Sequence, residues 1–243
     1  MFQIFLRHQL LFASILVLSA VPGCVPKKLG NGAKETKSYN FGPIEDVAIS
    51  GNWTVFAEGG VSDGAQRILV KTDGNLLDFV ELRVVDRRLQ VTLKEEINPR
   101  SGLELHLRLA KLAAYSSAGA VKSQLNFSDQ GGRLQVSGLS RVEAKVLGGE
   151  LVIDARGASR VELGGRANTL SITAESASRV DASATLVDAA DVKADDASRV
   201  FIHATRDISI TANGASNVTY DLRRHKPTVK AKSFGSAQVN QVR

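Results

Sequence analysis

Residues 151–163 read Leu151-Val152-Ile153-Asp154-Ala155-Arg156-Gly157-Ala158-Ser159-Arg160-Val161-Glu162-Leu163. Taking every second residue gives Leu, Ile, Ala, Gly, Ser, Val and Leu, so a period of two runs unbroken through Gly157-Ala158-Ser159. That period belongs to a β-strand with one buried face. Because the phase survives the small-residue step, the chain turns a corner there without exchanging its inner and outer faces. Glycine suits such a corner, since it reaches positive φ at no steric cost.

The step recurs along the chain. Gly138-Leu139-Ser140-Arg141-Val142, Ser176-Ala177-Ser178-Arg179-Val180 and Asp196-Ala197-Ser198-Arg199-Val200 are close copies, and Gly214-Ala215-Ser216-Asn217-Val218 and Gly235-Ser236-Ala237-Gln238-Val239 continue the series. Ser117-Ala118-Gly119-Ala120-Val121 aligns as the opening copy. The valines at 121, 142, 161, 180, 200, 218 and 239 are 21, 19, 19, 20, 18 and 21 residues apart. Helical repeats, at roughly 33 to 47 residues, are too long to fit. Strand units of this length wind as parallel coils, each bonded to the next and burying the same columns of Val, Ile, Leu and Ala. The fold expected is therefore all-β: a parallel β-helix, or solenoid, with rungs of about 20 residues. An antiparallel sandwich or barrel competes, but its neighbouring strands alternate in direction, whereas identical residues here return to the same place in every unit. Ser140, Ser159, Ser178, Ser198 and Ser216 then stack about 4.8 Å apart, with hydroxyls in reach of neighbouring rungs.

The repeats begin at about residue 115. Upstream, Asp46–Gly51, Arg67–Lys71 and Arg88–Leu93 also alternate, and Leu103, Leu105, Leu107 and Leu109 interleave with Glu104, His106 and Arg108. Asn75–Val80 reads as a helical turn or the lead-in to a strand. No polar linker divides this part from the repeats, so residues 41–243 are expected to form one domain whose N-terminal portion is an irregular β cap.

Composition agrees with that reading. Of 243 residues, 43% are hydrophobic and 23% charged, which excludes wholesale disorder. Aromatics are only 5%, so the core must come from aliphatic side chains. A single cysteine excludes an intrachain disulfide framework and a cysteine-based zinc cluster.

That cysteine stands at an informative place. Residues 1–23 carry Arg7 and His8, an apolar run from Leu10 to Val21, then Pro22-Gly23, with no acidic residue. This is the layout of a secretory signal, and its apolar run is shorter than the roughly 20 residues a spanning helix needs. Val21-Pro22-Gly23-Cys24 resembles a bacterial lipobox, which implies a lipid-modified Cys24 as the mature N-terminus and a membrane partner reached through that anchor. Val25 in place of Asp points, by the same resemblance, to the outer membrane of the cell envelope. Residues 24–40, with four lysines, one glutamate and no apolar period, read as the lipidated cysteine and a flexible tether. Removing 1–23 leaves 30 basic and 25 acidic side chains, a balance of +5, of which the tether holds +3. The body is thus only slightly basic, and a nucleic-acid partner is not expected for an exported chain.

Several segments together resemble the bacterial head GIN domain family of auto-transporter adhesins. They are Ile49-Ser50-Gly51-Asn52-Trp53-Thr54-Val55, Asp73-Gly74-Asn75-Leu76-Leu77, the Arg88-Leu89 strand and the series of corners, with Gly214-Ala215-Ser216-Asn217-Val218-Thr219-Tyr220 close to the family pattern. The resemblance spans residues 41–243 and implies an exported or lipid-anchored stack of β coils with no catalytic residues to carry over.

No reaction is legible in the residues. His106, His203 and His225 form no metal-binding pattern, and no metal or cofactor is expected. Asp188, Asp191, Asp195 and Asp196 crowd one rung, but without the nonapeptide calcium repeat they read as acidic bends. The corner serines recur too often to be nucleophiles, because a catalytic residue is unique in its site. The outward columns carry more. Arg141, Arg160, Arg179 and Arg199 share one column, with Glu143, Glu162 and Asp181 two residues on. They read as ion-pair ladders or as a stripe for anionic glycan or lipopolysaccharide phosphate. Phe201 and His203 replace the acid beside Arg199, which makes that end the candidate ligand site. The reading that results is a non-enzymatic, lipid-anchored envelope protein presenting a rigid surface for adhesion to glycan or to another envelope protein. The alternatives are a polysaccharide-active β-helix enzyme, disfavoured because units of 18 to 21 residues leave little groove, and an envelope scaffold or signalling accessory.

Overall fold

The structure, a computed structural model, describes residues 27–61, 66–128, 130–221 and 228–242. It is the expected solenoid. Each coil crosses a leading wall, turns the small-residue corner and returns along a trailing wall. Along the leading wall Arg88–Leu93, Asp46–Gly51, Ala114–Gly119, Gly131–Val136 and Glu150–Ala155 pair in parallel. The later halves of three long strands, Arg160–Ala174, Arg179–Ala194 and Arg199–Ala212, continue it to Thr228–Ser233. The trailing wall stacks Glu104–Arg108, Thr54–Glu58, Lys122–Asn126, Arg141–Val146, the earlier halves of the same long strands, Asn217–Asp221 and Gln238–Val242.

Corner chemistry explains the repeat. Gly119, Gly138, Gly157, Ser176, Asp196, Gly214 and Gly235 all have positive φ, between 59° and 96°. Successive corners are stitched by backbone bonds such as Leu139 N–H to Gly119 O (2.7 Å) and Ser236 N–H to Gly214 O (2.9 Å). That close stacking is a second reason for glycine, because a Cβ on Gly138 would lie 2.7 Å from Gly119 O. Two residues further on, the corner serines are buried as a column. Ser140 Oγ donates to Gly119 O (3.3 Å) and Ser216 Oγ to Ala194 O (3.0 Å). The hydroxyls of Ser159, Ser178 and Ser198 between them are enclosed without a hydrogen-bond partner among the described residues. Val142, Val161, Val180, Val200 and Val218 are fully buried next to the column, and Leu151, Ile153, Leu170, Ile172, Ile208 and Ile210 fill the opposite wall. Each such side chain contributes about 1.5–3 kcal/mol on leaving water.

The opening copy of the repeat lies two residues later than the sequence places it. Gly119 stacks on Gly138, and Lys122 and Ser123 pair with Arg141 and Val142, so Val121 sits in the serine column. A shift of two keeps inner and outer faces unchanged, so alternation alone does not detect it. The corrected frame extends one coil further back. Gly51 pairs with Gly119 and Thr54 with Lys122, which sets the buried Trp53 in the serine column, its indole N–H donating to Ser50 O (3.1 Å).

The cap is built out of chain order. Asp46–Gly51 and Thr54–Glu58 form a coil between that of Arg88–Leu93 and Glu104–Arg108 and that of Ala114–Gly119 and Lys122–Asn126. Val80–Val85 closes the end of the leading wall antiparallel to Arg88–Leu93. Arg67–Asp73 and then Lys34–Tyr39 close the trailing wall, again antiparallel. Gly74–Phe79 is a 3-10 turn that buries Leu76 and Leu77.

The tether expected over residues 24–40 is corrected here. Lys28–Leu29 pairs with Ile97–Asn98, and Lys34–Tyr39 is a full edge strand. None of the first five side chains of that strand is buried, so backbone bonds hold it with no hydrophobic signal in the sequence. A buried carboxylate clamps the segment between: Asp73 accepts N–H bonds from Gly32 (2.6 Å), Arg100 (2.8 Å) and Ser101 (3.2 Å). Burial pushes its pKa up, but the N–H groups of Ser101, Arg100 and Gly32 outweigh this and hold it below the ordinary range. Asn75 adds a side-chain bond to Leu29 O (2.9 Å) and accepts from Asn31 N–H (3.0 Å). The signal segment and Cys24 lie outside the described residues.

Candidate functional site

On the trailing wall the solenoid turns a sequence repeat into a spatial column. Arg141, Arg160, Arg179 and Arg199 are register partners in succession, and Lys122 precedes Arg141 in the same register. Five cations thus line up over about 19 Å at about 4.8 Å per coil. The sequence conceals Lys122, because its opening copy aligns two residues early. Like charges in adjacent rungs repel, so what offsets them decides how the column behaves.

Two of the five pair with an acid on their own strand. Arg160 Nε lies 2.7 Å from Glu162 Oε1, and an Arg179 guanidinium nitrogen lies 3.4 Å from Asp181 Oδ2. Burial raises the pKa of Asp181, but bonds from the hydroxyl and N–H of Ser183 and the nearby Arg179 outweigh it, so its carboxyl stays below the usual range. Phe201 replaces the acid on the next coil and receives the Arg179 guanidinium, 4.6 Å from its ring centroid. Lys122, Arg141 and Arg199 have no carboxylate within ion-pair distance among the described residues. His203 continues the alternation of Arg199 and Phe201, in register with Asp221, but is buried.

Among the shallow troughs along the described residues, two lie on opposite walls. One, of about 590 Å³, lies on the trailing wall over Gly164, with Glu143, Glu162, Asp181, Lys145 and Ser183 along it. The other, of about 470 Å³, crosses the leading wall between Arg88 and Gln90 on one side and Gln135 and Arg156 on the other. Arg88 donates to Ser116 Oγ (3.3 Å) on its floor. The aspartates crowded in one rung are dispersed: Asp188 pairs with Arg166 (3.7 Å) and Asp195 accepts from Asn213. No group of three or more metal-ligating side chains forms among the described residues.

The family model described as "Putative auto-transporter adhesin, head GIN domain" matches residues 45–223. The chain belongs to this family. The head GIN domain fold recurs in solved structures of low sequence identity. A "putative adhesin" from Bacteroides fragilis NCTC 9343 superposes with a TM-score of 0.78 at 13% identity, covering 88% of this chain and 99% of the other. A "putative lipid binding protein" from Parabacteroides distasonis ATCC 8503 gives 0.65 at 16% identity, covering 90% and 100%. A "putative adhesin" from Parabacteroides merdae ATCC 43184 gives 0.64 at 19% identity over the same shares. At these identities the likeness is one of fold. No curated protein is significantly similar to the chain. Membership in the family accords with a place at the cell surface or envelope, and the names of the family and its neighbours accord with a non-enzymatic protein.

Proposed function

We propose that this head GIN domain is a lipid-anchored, non-enzymatic protein of the bacterial outer membrane, held by Cys24, whose trailing wall binds an anionic, extended envelope partner such as an acidic glycan. The observation that carries the reading is the cation column from Lys122 to Arg199, in which Lys122, Arg141 and Arg199 have no carboxylate partner among the described residues. Charges at a fixed spacing near 4.8 Å on a rigid wall suit a polymer with regularly spaced anions, which meets several of them with little ordering cost. Catalysis fits the same wall poorly. A general acid needs a raised pKa, whereas Asp181 is held low and both Asp181 and Glu162 are engaged by arginines of their own strands.

The test uses purified residues 25–243 against polygalacturonate, lipopolysaccharide and neutral dextran, with product analysis of the same glycans. Expected is binding to the anionic probes that weakens steeply with salt, no turnover, and at least tenfold loss in Arg141→Gln/Arg160→Gln/Arg199→Gln with the fold intact. Equal binding by parent and variant overturns the site, and turnover favours an enzyme. Silence with every glycan leaves a protein partner as the reading of the same column. Cys24→Ser should release the chain from the membrane fraction, and unchanged partitioning sinks the anchor.

A further inference from the structure

The described chain is fixed to the body from Lys28 onward: Lys28 N–H donates to Glu96 O (2.9 Å), Gly30 N–H to Asn98 O (3.0 Å), and the Asp73 clamp follows at Gly32. Cys24 stands four residues before Lys28. At about 3.3–3.6 Å per residue, those four steps reach at most about 14 Å. An anchor at Cys24, on which this inference rests, therefore leaves the body almost no freedom to stand away from the bilayer.

The surface around the fixed point fits that neighbour. Lys27, Lys28, Lys94 and Arg100 are exposed there, with Glu95 and Glu96 as the acids beside them, four cations against two carboxylates. Lys27 and Lys28 reach Glu96 (3.3 Å) and Glu95 (3.8 Å) through solvent-exposed pairs, which are weak. Lys94 and Lys28 meet at Phe79, where Lys94 N–H bonds the carbonyl and Lys28 Nζ lies 5.9 Å from the ring centroid. The adjacent pair Lys37 and Asp78 cancels. Leu29, next to Lys28 in the chain, leaves 51% of its surface in water, an apolar contact of the size an interfacial residue inserts. Basic side chains close to an anionic membrane surface are attracted to it.

We infer that the corner formed by Lys27–Leu29, Lys94 and Arg100 docks on an anionic phospholipid surface, so that the lipid anchor and this face act as one two-part attachment and the far coils project away from the membrane.

The test footprints lysines by acetylation with a membrane-impermeant reagent, read by mass spectrometry, on full-length protein bound to vesicles of phosphatidylethanolamine and phosphatidylglycerol. The acyl mass on the Cys24 peptide is measured first. If it is absent, the anchor reading fails by itself, and the docking is tested with Cys24 coupled chemically to a maleimide lipid in the same vesicles. Expected is at least fivefold slower modification of Lys27, Lys28 and Lys94 than in the free protein, with Lys230 and Lys232 unchanged. A 20-residue Gly/Ser insertion after Val25 combined with high salt should restore the free rates. Equal rates at Lys27, Lys28 and Lys94 on and off the vesicle overturn the docking, whatever attaches Cys24.

Discussion

The guanidinium of Arg179 lies between two coils, 3.4 Å from Asp181 on its own strand and 4.6 Å from the ring centroid of Phe201 on the next. Phe201 is the register partner of Asp181, so the column of acids Glu143, Glu162 and Asp181 ends in an aromatic that still engages the cation before it. Arg199, on the strand of Phe201, has no such acid two residues on.

Removing that ring should cost little stability. Phe201→Ala is expected to lower stability by about 0.5–1 kcal/mol through the lost cation–π contact, beyond its own packing. A double-mutant cycle with Arg179→Ala measures the contact directly, and a coupling near zero counts against it.

The inner column should be far less tolerant. Val180 is fully buried, and Val180→Asp is expected to destabilise by more than about 3 kcal/mol, because the carboxylate has no partner there. Arg179→Ala next to it should cost less than about 1 kcal/mol. Similar losses in chemical denaturation would contradict the assignment of faces.

Corner positions should respond in opposite directions. Gly138→Ala places a Cβ 2.7 Å from Gly119 O at φ 74° and should cost at least about 1–2 kcal/mol. Ser176 already bears a side chain at φ 64°, so Ser176→Gly should be neutral or stabilise by up to about 1 kcal/mol. Equilibrium unfolding of the two variants decides, and equal signs would refute the corner argument.

Acid should loosen the N-terminal clamp. The folded pKa of Asp73 is lowered, so the stability it supplies is present above the unfolded value near 4 and is lost as pH falls through the folded value. Glu104, bonded by Lys34 (2.6 Å) and His106 (3.0 Å), is also lowered and adds in the same direction. Amide exchange over residues 30–33 should accelerate on acidification, and Asp73→Asn should open the segment already at neutral pH. Exchange that is unaffected by the substitution would argue that the backbone pairs hold it alone.

What the sequence reveals follows from where its signal resides. Buried Val180, buried Ser178 and outward Arg179 are legible because a strand buries alternate residues, and the corners are legible because Gly138 and Gly157 need positive φ. The phase at Gly119 is not, since a two-residue slip preserves alternation. Lys34–Tyr39 escapes notice because an edge strand exposed on both faces has no hydrophobic pattern, only backbone bonds and the lysines that protect such edges. The cation column was visible except for Lys122, but which arginines are paired depends on side-chain reach, which no spacing encodes.

The coil of residues 46–58 carries a consequence for how the chain assembles. It is made early in the chain yet lies between two coils made later, so its edges are satisfied only when residues 88–108 and 114–126 have both arrived. Once that three-layer seed exists, every further coil adds to an edge already in register, one rung at a time. Shortening the stack from the Gln238–Val242 end should therefore erode it in small steps, whereas damage to the seed should abolish the whole structure at once.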